Sequence, residues 1–292
     1  MLRPWLKSHL CGIVVGIAVL TGACGPSSEA ESPKAAGGAA LTTSRCQLFP
    51  SEVICSKREL TLPALLIRRK VTYEVPLGTP PAQGWPTVLY FQGSFFAGSR
   101  AFAADLADVA GQYNLTLTVK ALLDAGYAVL APDALLDGAS FWQTNIPPWS
   151  LLWTTSSDHA FLLSILQAIQ EGTFGALDPR RLYAMGISSG GFMTSRMAVS
   201  YRGRFRALAV HSASYATCSA VCLVPALPGD HPPTLFLHGI LDPIVTVPVM
   251  EQYRHALARD GHEVKTVFNP TAGHEWLTPG PQAITDWFNA HP

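Results

Sequence analysis

The chain has 292 residues, 48% of them hydrophobic and 14% charged. That apolar content is enough to fill the core of one large α/β domain. Twenty Lys and Arg balance twenty Asp and Glu, so no excess of positive charge recommends a nucleic acid or another polyanion as partner.

The amino terminus reads as a targeting segment. Arg3 and Lys7 precede an apolar run over residues 10–20, and Thr21-Gly22-Ala23 stands before Cys24. Positive, apolar and small-residue zones in that order are those of a secretory signal over residues 1–24, and the apolar run is too short for a membrane span. The small residues ahead of Cys24 resemble a bacterial lipobox, which implies a lipidated Cys24 as mature amino terminus and membrane contact only through that anchor. Plain secretion is the alternative, because Thr21 is unusual in such a motif. Residues 25–44 are rich in Gly, Ala, Ser and Pro and are expected to form a flexible tether. The folded domain is then residues 45–292, expected to be a monomer. Beyond Cys11 and Cys24 the cysteines lie in two close pairs, Cys46 with Cys55 and Cys218 with Cys222. In an oxidising compartment these suggest two local bridges, with pairing between the groups left open.

Strand and helix patterns alternate from there. Residues 71–75 read as an antiparallel edge strand and residues 87–91 as a buried one. A helix over 115–126 is stopped by Gly126, a strand follows at 127–132, and a helix capped by Ser157 or Asp158 runs to about Gln170. Apolar strands at 181–185, 205–210 and 234–239 and a final strand at 264–268 alternate with helices at 191–199 and 247–260, which predicts a mostly parallel sheet covered on both faces. Between Asp133 and Asp158 lie Trp142, Trp149 and Trp153 with a Pro-Pro pair. They are expected either to pack over the sheet or, with Phe95 and Phe96, to wall an apolar substrate site; Trp142 and Trp149 are the candidates from this loop.

Gly186-Ile187-Ser188-Ser189-Gly190 joins a predicted strand to a predicted helix, the context of a nucleophile elbow. Glycines on either side of Ser188 leave room for the sharp turn that lifts its hydroxyl above the strand ends. A serine needs a base, and the base a carboxylate to orient it. In this architecture they follow in the order Ser, acid, His. Asp242 comes just beyond the strand at 234–239, and His274 stands between the last strand and the last helix. Asp133 breaks the order, and Asp230 sits in a Pro/Gly-rich loop. His159, His211, His238, His255 and His262 are expected to be packed or solvated. Backbone N–H groups of Ser189 and of the Gly93-Ser94 turn after the strand at 87–91 are the expected oxyanion donors. No Walker loop, dinucleotide-binding turn or metal-ligand spacing occurs, so neither cofactor nor metal is expected.

The run Gly186 to Gly191 with Thr194-Ser195-Arg196-Met197-Ala198 resembles the extracellular medium-chain-length polyhydroxyalkanoate depolymerases. Leu177-Asp178-Pro179-Arg180-Arg181-Leu182-Tyr183, Leu237-His238-Gly239 with Asp242, and Gly273-His274 resemble the wider polyhydroxybutyrate depolymerase and feruloyl esterase group. The resemblance covers most of the chain after residue 60. It implies an α/β-hydrolase fold and a serine esterase acting on a hydrophobic polyester, with Ser188, Asp242 and His274 as triad. One departure is Gln92-Gly93 where many relatives carry His-Gly. A general carboxylesterase or feruloyl-type esterase is the alternative enzyme, with a serine peptidase behind it. An inactive lipoprotein of the same fold that binds apolar ligands is the non-enzymatic one.

Overall fold

The computed structural model describes residues 44–218 and 222–292. The expected signal segment, Cys24 and the tether up to residue 43 lie outside the described residues. In chain order the elements are β1 (Cys46–Leu48), β2 (Glu52–Cys55), β3 (Arg58–Ala64), β4 (Ile67–Glu74), β5 (Trp85–Phe91), β6 (Ala103–Asp105), α1 (Gln112–Asp124), β7 (Ala128–Pro132), α2 (Ser157–Gln170), β8 (Leu177–Ile187), α3 (Ser189–Ser200), β9 (Phe205–His211), β10 (Thr234–Gly239), α4 (Val247–Arg259), β11 (Val264–Asn269) and α5 (Gly280–Ala290).

Eight strands form one sheet in the order β11-β10-β9-β8-β5-β7-β4-β3. All neighbours from β11 to β7 are parallel, while β4 runs antiparallel to β7 and β3 antiparallel to β4. The strand expected at 71–75 is therefore antiparallel but not the edge. The polar alternation of β3 conceals a strand that covers it, and sheet pairing rather than apolar pattern creates that edge. A small antiparallel sheet, β1-β2-β6, lies apart from the main one, with a Cys46–Cys55 disulfide joining its first two strands. A second disulfide joins Cys218 to Cys222.

Alternation along the central strands supplies both cores. Val88 and Tyr90 face the layer of α1 and α5, packing with Leu115, Val119, Leu122, Ile284 and Phe288. Leu89 and Phe91 face α2 and α3, packing with Phe161, Ile165, Met193 and Met197. Strands buried on both faces read as continuous apolar runs, as β5, β7 and residues 182–187 of β8 do. After β5 the chain moves to β7 on one side and then to β8 on the other. Between β5 and β8 lies the switch point where open α/β sheets leave a crevice at their carboxyl ends.

Candidate active site

Both walls of that crevice are loops leaving neighbouring strands. β8 ends at Ile187, α3 begins at Ser189, and the hinge residue Ser188 has φ 54° and ψ −124°. A positive φ at a residue with a side chain costs of order 1–3 kcal/mol and persists only where the surroundings hold it. Here Ser188 N–H donates to His211 O (3.0 Å) and Ser188 O accepts from Phe192 N–H (3.0 Å). The flanking glycines are required by space. A Cβ on Gly190 would overlap the Phe91 and Gln92 carbonyls, and one on Gly186 would overlap Gly190 O. The Ser188 side chain makes no capping bond to α3, so its hydroxyl is not spent on the helix end.

The loop after β10 carries Asp242, buried at 4% exposure. Its Oδ2 accepts from His274 Nδ1 at 2.7 Å, and its Oδ1 accepts from the Ile244 and Val245 N–H groups, each at 2.9 Å. Burial pushes the Asp242 carboxyl up, but the bonds from His274, Val245 and Ile244 outweigh it and hold the group below its ordinary value. The carboxylate thus stays ionised and turns the Nδ1–H of His274 towards itself. His238, expected to be packed, is fully buried beside the same acid. Its Nε2 donates to Val245 O (2.7 Å) and lies 3.6 Å from Asp242 Oδ2. His211 is buried too, accepting the Leu277 N–H on Nε2 (3.0 Å) against the Trp276 ring. Burial, with the nearby His238 and His274, pushes His211 down to about 3, so it is a neutral prop.

Ser188 and His274 line one cavity of about 370 Å³, together with Gly93, Ser94, Phe95, Phe96 and Trp276. Gly93 lies against the elbow, where a Cβ would stand 3.3 Å from Ile187 Cγ2 and 3.9 Å from Ser188 Cβ. Ser189 heads α3, where the first helical N–H groups lack intrahelical acceptors. Phe95 and Phe96 line the cavity, and Phe95 is exposed and edge-on to Phe141.

The two tryptophans do not. Trp142 is 1% exposed, edge-on to Phe91, with Nε1 donating to Gln92 O (3.0 Å) and its own N–H to Ser189 Oγ (2.9 Å). It is core, because an indole that satisfies its N–H internally gains more from full burial than from a wet wall. Trp149 is partly exposed but lines no part of this cavity.

Three residues named in the sequence for other reasons hold the loops around this site. Gln92 Nε2 donates to Gly138 O (2.7 Å) and its Oε1 accepts from Ala134 N–H (3.2 Å), so it ties the loop after β5 to the one after β7. Its position directly before Gly93 at the end of β5 was the available signal. Asp133 accepts the Gly98 N–H (2.7 Å) and steadies the far end of the same loop. Arg196, 5% exposed on α3, donates to Thr144 Oγ1, Thr144 O and Ser150 O, holding the tryptophan loop from below. Among the described residues no three His, Cys, Asp or Glu side chains are grouped to hold a metal ion.

The chain is 46% identical over 290 residues to a poly(3-hydroxyoctanoate) depolymerase of Pseudomonas fluorescens, covering 98% of this chain and 99% of that protein. It belongs to the medium-chain-length polyhydroxyalkanoate depolymerases. Solved structures share the fold at much lower identity. A dienelactone hydrolase-like promiscuous phosphotriesterase from metagenomic libraries superposes with TM-score 0.58 at 16% identity, covering 82% of this chain and 99% of its own. An acylaminoacyl peptidase of Pyrococcus horikoshii superposes with TM-score 0.55 at 14% identity over 80% of this chain, which spans 40% of that longer protein. No family model matches the chain. As a depolymerase-family α/β-hydrolase, the protein is an ester-hydrolysing enzyme.

Proposed function

We propose that this depolymerase-family enzyme hydrolyses a hydrophobic aliphatic polyester of the poly(3-hydroxyoctanoate) kind by a Ser188-His274-Asp242 acyl-enzyme route. The observation that carries the reading is the strained, uncapped Ser188 sharing one largely apolar cavity with a His274 whose tautomer is set by Asp242. His274 Nε2 takes the proton of Ser188 as Oγ bonds to the ester carbonyl carbon. The negative oxygen so formed is met by backbone N–H groups of Ser189 and the Gly93-Ser94 turn, a contribution typically worth about a hundred- to a thousandfold per donor. Collapse breaks the ester C–O bond, and the proton on His274 goes to the departing alkoxide. Water then attacks the acyl-enzyme, giving its proton to His274, and Ser188 leaves with that proton as the hydroxy acid is released.

The rim of the cavity suits a water-insoluble chain. Phe95 and Ile244 line the cavity and are exposed, and the exposed Phe141 packs edge-on to Phe95. Exposed apolar groups gathered at a site mouth mark a surface that meets apolar matter. Together with the signal-like residues 1–24 and the lipobox-like setting of Cys24, this supports action outside the cytoplasm, tethered through Cys24 and the segment up to residue 44.

The test combines a variant with a substrate panel. Ser188→Ala is expected to fold and to lose ester hydrolysis by on the order of a millionfold, with no labelling by a fluorophosphonate. The wild type is expected to clear a polyhydroxyoctanoate emulsion faster than polyhydroxybutyrate and to act poorly on methyl ferulate. Normal turnover by the serine variant would move the nucleophile elsewhere. Clearing of neither polymer, with rapid cleavage of small esters, would make the protein a general carboxylesterase.

A further inference from the structure

Ser188 lines two cavities. The larger, of about 370 Å³, has His274, Phe96 and Trp276 in its walls. The smaller, of about 270 Å³, is walled by Ser189, Phe192, Cys218, Val245 and Val249, and His274 is not among its lining residues. Ser94 and Ile244 line both. Ile244 is the apolar side chain common to both, and its N–H is held on Asp242 Oδ1.

We propose that the two cavities are separate subsites for the two sides of the scissile ester: the larger takes the alcohol-side chain and the smaller the acyl-side chain. The direction follows from the proton. The leaving alkoxide must receive its proton from His274, so its oxygen lies at His274 and its carbon chain runs into the cavity His274 walls. The oxyanion points to the backbone donors near Ser94 and Ser189. The remaining substituent of the tetrahedral carbon, the acyl chain, is left the cavity bounded by Ser189, Phe192 and Val249.

In a 3-hydroxyalkanoate polymer each repeat unit carries one pendant alkyl group. An ester bond held at Ser188 then presents one pendant to each cavity, so two adjacent units are recognised at once. Val249, partly exposed in the first turn of α4, and Phe96 become the residues that set acceptance on the acyl and alcohol sides respectively. This assignment rests on the Ser188-His274 reading of the site.

The experiment uses the full chain and two ester series read by pH-stat, methyl butanoate against methyl octanoate for the acyl side and methyl butanoate against octyl butanoate for the alcohol side. Val249→Trp is expected to cut the octanoate-to-butanoate ratio of kcat/KM by about tenfold or more while the alcohol ratio moves far less. Phe96→Ala is expected to do the reverse, lowering the preference for octyl over methyl alcohol. If Val249→Trp does not fold, as judged by circular dichroism, Val249→Ala on the same wall is expected to raise the octanoate-to-butanoate ratio. Exchanged effects, or equal effects on both series from either wall, would overturn the assignment. Wild-type cleavage of both series without attack on polyhydroxyoctanoate would instead sink the polymer reading, and the variants would still decide the two cavities.

Discussion

His274 Nδ1 and Asp242 Oδ2 lie 2.7 Å apart, and the same carboxylate receives two backbone N–H groups on its other oxygen. Every lone pair that matters on Asp242 is directed by the fold, so its charge and position do not depend on substrate. Asp242→Asn keeps the shape but can present an N–H to His274, which favours the wrong tautomer. Ester hydrolysis should fall about ten-thousandfold in kcat with the fold retained, measured by steady-state kinetics beside circular dichroism. A loss of less than about tenfold would mean that His274 is oriented by something else.

Ser189 has a structural role through its side chain. Its Oγ is the acceptor for the buried Trp142 N–H. Ser189→Ala leaves that donor without its partner, which costs about 1–3 kcal/mol. The denaturation midpoint should drop correspondingly, and tryptophan emission should respond as the Trp142 backbone relaxes. An unchanged midpoint would show that the 142–143 segment finds another acceptor.

Arg69 and Asp158 form a buried pair, Nη1 to Oδ1 at 2.6 Å, with the two side chains 3% and 0% exposed. Burial lowers the arginine and raises the aspartate from their ordinary values, while each offsets part of that for the other. Asp158→Ala removes the compensating charge and also the acceptor of the Gln143 N–H. The expected loss is about 3–5 kcal/mol of stability, read from urea unfolding. Replacing both by apolar residues should recover much of it, since the pair itself is weak evidence of net stabilisation.

His211 couples stability to pH. Its folded value near 3 lies below the ordinary 6.5, so between those values the unfolded chain binds the proton and the folded one does not. Stability from this group is therefore complete above pH 6.5 and declines as pH falls through that window, by at most about 1.4 kcal/mol per pH unit. His211→Gln can still accept the Leu277 N–H but does not titrate. Its unfolding free energy should fall less steeply than the wild type's between pH 6.5 and 4.5; parallel slopes would show that His211 is protonated or freed in the folded state.

The elbow was legible because its requirement is local. Gly186 and Gly190 are glycines since the chain there passes within a Cβ of the neighbouring backbone, and Ser188 between them is held at a positive φ. Ser188 and Asp242 were legible because each follows an apolar parallel strand buried on both faces, whereas His274 follows the half-polar edge strand β11 and was legible from its place ahead of the last helix. Strand β3 escaped notice because half of it is polar and its place comes only from pairing with β4.

What the sequence by itself determined is the run of alternating elements, the strained serine and the candidates for its partners, all features set by contiguous residues and turn chemistry. What only the tertiary structure decided is which side chains surround them. Trp142 and Trp149 are alike in the sequence, yet Trp142 goes inside, where Ser189 Oγ, Gln92 O and the Phe91 ring receive it, while Trp149 stays partly at the surface. The same holds for Ile244, a loop residue that the fold brings to line both cavities at Ser188. Burial and apposition depend on partners far along the chain, and no local pattern carries that information.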